Sequence, residues 1–322
     1  MYNAIDPAKI EKRNILKHSN IMGIAVVGVS VLSLPLSALV IFLCNLLFSV
    51  SPLKLSTLMQ TDIVVAYAIN AVITLFVFTV PFVIFAKVLK CKISEEGLFG
   101  KPFKGSAPFL CVLFGMGMTF AGNFATGIFA IITKVLFGVE PIEPQLGVSD
   151  NSILSIVIEV LLVAAIPALI EEFAFRGVLL AVFKRFGNWP AIIVTTVLFA
   201  FMHCNFVQIP FALFAGFAFG VITVATKSIW PAVIVHFLNN SLAVLSQHMA
   251  DYIFGALFYL IIIVGIIAFV FLIKKETFKN LKPDVPSCLK VSQRTIKLLF
   301  SPVMAVAIVL FVIASLFMFQ TV

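Results

Sequence analysis

The sequence predicts an all-α polytopic membrane protein of about nine transmembrane helices, and three observations carry that prediction. Long apolar runs recur from end to end, and about 20 such residues are what a helix needs to cross the hydrocarbon core. Hydrophobic residues make up 62% of the 322 and charged residues only 11%, against roughly 25% charged in a soluble domain. The runs are continuous rather than alternating, which excludes a transmembrane β-barrel.

Taken in order, the apolar segments are 21–50, 63–89, 107–137, 153–183, 189–203, 209–226, 230–247, 252–273 and 298–319. The first is too long for the apolar stretch of a signal peptide and has no small-residue cleavage site after it, so it reads as a retained anchor. Several segments exceed one bilayer thickness, and Pro35, Pro81 and Pro167 within them predict tilts or kinks. Two segments open alike, with Asn188-Trp189-Pro190-Ala191 and Ile229-Trp230-Pro231-Ala232. Each puts Trp at interface level and Pro in a first helical turn, where its missing N–H costs nothing. The chain divides into a polar cytoplasmic segment (1–20), N-terminal membrane helices (21–151), a helical core (152–249) and C-terminal helices with a basic loop (250–322).

Basic residues gather in alternate connections: Lys9 to Lys17, Lys87 to Lys104, Lys184 with Arg185, Lys227, and Lys274 to Lys297. The intervening connections hold Lys54 and the acids Asp62, Glu140, Glu143, Asp150 and Asp251. By the positive-inside rule the N-terminus is cytoplasmic, and an odd helix count places Val322 outside. The same rule accounts for the net charge of +8 without nucleic acid as a partner. Cys44, Cys91, Cys111, Cys204 and Cys288 are scattered without a CxxC pair, which argues against a disulfide framework or a zinc ribbon. The partner that composition implies is the lipid bilayer; oligomeric state leaves no mark on it.

An ionisable group inside a membrane segment costs a few kcal/mol on insertion scales, so each one needs a reason. These costs concentrate in Glu171-Glu172-Phe173-Ala174-Phe175-Arg176-Gly177, in Phe199-Ala200-Phe201-Met202-His203 and in His236-Phe237-Leu238-Asn239-Asn240. Glu172 and Arg176 are four apart and can pair on one helix face. That pair alone reads first as structural glue. Glu171 lies about 100° away on the helical wheel, without an internal partner, and is the better general-base candidate. His236 and Asn240 share a face and offer an imidazole and an amide to one bound group. His203 joins them from another helix. At about 1.5 Å per residue Glu171 and His203 come level, roughly 20 Å from their helix entries, while His236 is only about 8 Å from Pro231. A tilt, a helix break or a deeper-set Pro231 has to close that gap.

In these three motifs the chain resembles the CPBP intramembrane proteases, also called the CAAX-protease and bacteriocin-processing or Abi family. The family's EExxxR is Glu171, Glu172 and Arg176; its FxxxH is Phe199 and His203; its HxxxN is His236 and Asn240. The resemblance spans about 154–245 and keeps motif order and spacing. It implies a multi-pass protein of the bacterial plasma membrane with a helical protease core, hydrolysing a peptide bond in a membrane protein or peptide. Glu171 and His203 would activate water, His236 and Asn240 would hold the oxyanion, and Glu172 with Arg176 would support them. The family is commonly described as metalloproteases, and Glu171, His203 and His236 could supply a zinc set. There is no HExxH, and metal-free glutamate catalysis stands equally. Two other classes compete: a transporter, which calls for inverted repeats that the sequence lacks, and a non-catalytic scaffold or immunity factor, which loss of a motif residue would favour.

Overall fold

A computed structural model describes residues 6–48, 50–93, 98–100, 105–141, 152–282, 285–317 and 319–321. Lys101, Lys104, Glu143, Asp150 and Val322, used above to assign sidedness, lie outside them. The described chain is a bundle of helices: α1 (Pro7–Phe48), α2 (Pro52–Thr61), α3 (Ile63–Val88), α4 (Ser106–Phe137) and α5 (Ile153–Lys184). It continues with α6 (Asn188–Phe201), α7 (Gln208–Thr226), α8 (Trp230–Ser246), α9 (Asp251–Lys274), α10 (Val291–Leu299) and α11 (Pro302–Leu316). The protein is a multi-pass membrane protein. Among the described residues six helices are long and apolar enough to span a bilayer, and the α10–α11 pair, bent by 65°, makes a seventh if it is one span.

Each of the nine apolar segments contains a helix, but, the bent α10–α11 pair aside, two of these helices are short. α6 has 14 residues and α8 has 17, which at 1.5 Å per residue is less than the roughly 30 Å hydrocarbon core. The first leads into the FxxxH motif, whose His203 lies just past its end, and the second carries the HxxxN motif. The sequence-based count of nine crossings therefore stands at six or seven by length. The first helix also begins earlier than its apolar segment, at Pro7, because no breaker interrupts residues 8–20. Pro35 divides it into the stretches Pro7–Ser33 and Pro35–Leu47.

Two π-helical segments interrupt α5. The first, Val160–Ala165, leads into Ile166–Glu172 with Pro167 in the opening turn. A proline here has no N–H to donate and crowds the carbonyl four residues back, and a widened turn ahead of it relieves both. The second, Phe173–Leu179, follows Glu172 directly and carries Arg176 and Gly177. Irregular turns of this type concentrate at functional sites.

Close helix approach depends on small residues, the usual means of packing where lipid removes the hydrophobic drive between helices. A Cβ on Gly117 of α4 would sit 2.7 Å from the Gly265 Cα of α9, so the two backbones touch. At one end of the bundle guanidinium groups tie elements together: Arg185 donates to the Leu89 and Lys90 carbonyls, and Arg294 of α10 donates to the Phe186 carbonyl. Beyond α4 and α11, β1 (Val139–Pro141) and β2 (Phe319–Thr321) pair antiparallel, which brings residues 140 and 320 to the same place.

The depth gap at His236 closes through the start of α8. The Ile229 N–H donates to the Leu98 carbonyl at 2.7 Å and Phe99 bridges Ser228. The Phe99 ring reaches Phe173, at 5.8 Å between centroids, and lies where a Cβ on Gly177 would meet its Cζ at 2.7 Å. The entry to α8 is thus level with Gly177 of α5. Pro231 to His236 is then the same number of residues as Gly177 back to Glu172, and the two side chains meet. A start of α8 held against this part of α5 accords with the meeting of the two side chains.

Candidate active site

Glu172 and Arg176 form the pair that their spacing predicts: the Arg176 Nη1 donates to Glu172 Oε1 at 2.8 Å, with both side chains fully buried. Arg176 Nη2 donates to the Gly216 carbonyl of α7 at 3.2 Å. The guanidinium also lies over Phe199 and Phe219, 4.4 and 5.1 Å from the ring centroids. In a desolvated setting such cation–π contacts are worth about 2 kcal/mol or more. A Cβ on Gly216 would come within 3.2 Å of the Phe199 ring, so a glycine there gives that ring its room.

Glu172 has a second partner that spacing did not foretell. His236 Nδ1 lies 3.0 Å from the same Oε1. An ionised carboxylate only accepts, so Nδ1 carries the hydrogen and Nε2 is turned the other way. Its Nε2 is 4.0 Å from Glu171 Oε2. Adjacent carboxylates on one helix thus flank the two nitrogens of one imidazole. Glu172 is sealed in the core, while Glu171 is 18% exposed.

His203 sits in the turn just past α6. Its Nδ1 donates to the Phe199 carbonyl at 2.8 Å, so in the neutral ring the lone pair lies on Nε2. The Phe199 ring contacts both imidazoles edge-on, 5.1 Å from His203 and 5.9 Å from His236, and Phe219 stacks on His236 at 5.4 Å. Asn239 Nδ2 donates to Asn240 Oδ1 at 3.2 Å, a bond that engages the oxygen of the Asn240 amide and not its N–H₂.

Glu171, His203, His236 and Asn240 all line one cavity of about 690 Å³, a volume within the range of ligand sites. The structure therefore brings together the four residues singled out from the sequence, with Glu172 and Arg176 behind them. A zinc set is a different matter. Among the described residues no three His, Cys, Asp or Glu side chains come together closely enough to hold an ion. The trio of Glu171, His203 and His236 does not fit a metal in this arrangement, and no chemical step is routed through one.

Sequence reasoning missed Phe219, Gly216 and Asn239, and left Phe199 as a motif letter. Asn239 stands beside Asn240 but had no assigned partner. Phe219 and Gly216 lie in an apolar helix with nothing to mark them except small residues at Ala212, Ala215, Gly216 and Gly220.

Comparison with known proteins agrees with this architecture. Residues 153–242 match the family described as type II CAAX prenyl endopeptidase Rce1-like. The matched stretch runs from the start of α5 into α8 and contains every cavity residue named from the three motifs. Over this stretch, less than a third of the chain, the helical core is similar to the CPBP, or CAAX-protease, family. A relative described as "Putative membrane peptidase YdiL", from Bacillus subtilis (strain 168), is 22% identical over 139 residues, 43% of this chain and 57% of the relative. The match thus spans little more than half the length of that curated relative. No solved structure matches significantly.

Proposed function

We propose that this chain is an intramembrane endopeptidase in which Glu171 activates the attacking water. The observation that carries the reading is the position of the His236 imidazole, bonded at Nδ1 to buried Glu172 and turned at Nε2 toward Glu171, with both residues lining one cavity.

In the mechanism a water sits between the Glu171 carboxylate and His203 Nε2, both of which accept. Glu171 takes its proton as the oxygen attacks the scissile carbonyl carbon. The developing oxyanion is stabilised by the Asn240 amide N–H, which Asn239 holds in donor orientation. The proton passes from Glu171 to His236 Nε2 across a gap that one rotamer adjustment or one bridging water closes. The imidazolium that forms is stabilised by Glu172 and adds a second donor to the oxyanion. When the tetrahedral intermediate collapses, the C–N bond breaks and the leaving nitrogen receives that proton. Glu172 and Arg176 position His236 and touch no substrate.

Purified Glu171→Gln protein tests the reading. It should keep its fold and lose turnover of every substrate the wild type cuts. Turnover at the wild-type rate by folded Glu171→Gln would remove Glu171 as the base.

A further inference from the structure

We propose that Asn123 on α4 forms a subsite of the cavity, one that binds a backbone peptide group of the substrate near the scissile bond. The proposal rests on the peptidase reading and adds to it a residue from outside the matched stretch 153–242. Asn123 lies within the 32-residue membrane span Ser106–Phe137, about 25 Å from its start and about 21 Å from its end at 1.5 Å per residue. Its neighbours in sequence are apolar, Phe120-Ala121-Gly122 before it and Phe124-Ala125 after it. A primary amide at that depth is costly and needs a partner.

Two roles would meet that need, and the structure separates them. Polar residues of membrane helices commonly hold neighbouring helices together by hydrogen bonds across the interface. Here that work falls to the residues on either side. Thr126 Oγ1 donates to the Val207 carbonyl at 3.1 Å, and a Cβ on Gly122 would lie 3.1 Å from the Phe211 carbonyl, so the α4 backbone packs directly on α7. The Asn123 side chain itself makes no hydrogen bond to any described residue, is exposed, and lines the cavity together with Glu171, His203, His236 and Asn240. Contacts before and after it thus fix α4 so that this amide meets whatever fills the cavity. A carboxamide offers a donor and an acceptor side by side. A peptide group presents the complementary pair, and a substrate drawn into the membrane has to satisfy both of those groups.

The test uses the full-length chain in nanodiscs of phosphatidylethanolamine and phosphatidylglycerol. A library of N-acetylated dodecapeptides, supplied both as free acids and as amides, is digested and the cut bonds are read by mass spectrometry. The best substrate is then N-methylated at one backbone nitrogen at a time. Asn123→Leu should keep or raise the melting temperature, because it removes a polar group from an apolar helix. Its KM should rise about tenfold, near the upper end for one lost hydrogen bond, with kcat little changed. N-methylation at one position near the cut should cost wild type a similar factor and cost Asn123→Leu almost nothing, the non-additivity that a direct contact produces. An unchanged KM in folded Asn123→Leu overturns the proposal, and so do equal N-methylation penalties in the two proteins at every position. A lowered melting temperature would make Asn123 a structural residue and overturn it as well. Each of these results leaves the peptidase reading intact. If wild type cuts no peptide in either form, the peptidase reading falls and this proposal with it.

Discussion

Glu172 holds two partners with one oxygen, and the consequences separate it from its neighbour. Its bond to Arg176 follows from four-residue spacing and was legible in the sequence. Its bond to His236 joins residues 64 apart, and no local pattern reports such a contact. Glu172→Gln leaves a buried guanidinium short of a charge, a change that costs about 3–5 kcal/mol when a buried pair loses one member. It also frees His236 to turn. Thermal unfolding in detergent should show a large loss for Glu172→Gln and a small one for Glu171→Gln, although both lose activity; equal losses of stability would contradict this division. Asn240→Ala should lower kcat by about 100- to 1000-fold, the cost of removing one oxyanion donor, with little change in folded yield. Exhaustive chelation should leave turnover intact. A loss restored by zinc alone would instead make ligands of Glu171, His203 and His236.

Among the elements, α5 was anticipated as one long apolar helix, but its two π segments were not. The first has a cue in Pro167, whereas the second has no counterpart in composition, since Phe173–Leu179 contains no proline. The α8 entry was equally hidden. Its depth is set by Leu98 and Phe99, which belong to a connection far away in sequence. What the sequence did carry is the ordered trio of motifs and the apolar runs, because charge inside a bilayer is costly and stands out. Packing between α4 and α9 gives a test at this scale. Gly265→Val would drive a side chain into the Gly117 backbone, and overpacking of this type costs about 1–3 kcal/mol or more. Because α4 also presents Phe120 and Asn123 to the cavity, the variant should unfold at lower temperature and raise KM. An unchanged melting temperature would mean that the two helices can separate freely.

At the scale of the whole molecule, the alternation of basic and acidic connections predicts which ends share a side. The β1–β2 pairing puts residues 140 and 320 together, independently of charge. In a cysteine-free background, Glu140→Cys and Gln320→Cys should react with an impermeant thiol reagent from the outer side, and Lys275→Cys only after the inner side is opened. Labelling of all three from one side would reverse the topology. The family resemblance rests on the core from α5 to α8, where the sequence carried the three motifs but neither the π segments nor the contact of His236 with Glu172; the flanking helices, outside that match, were legible only as membrane spans. The most direct test of the central claim, that Glu171 drives hydrolysis, is to incubate wild-type and Glu171→Gln protein with membranes in ¹⁸O-labelled water and sequence the released peptides. Wild type should release peptides whose new carboxyl ends carry the label, and Glu171→Gln should release none. The same labelled peptides appearing at the same rate from folded Glu171→Gln would contradict it.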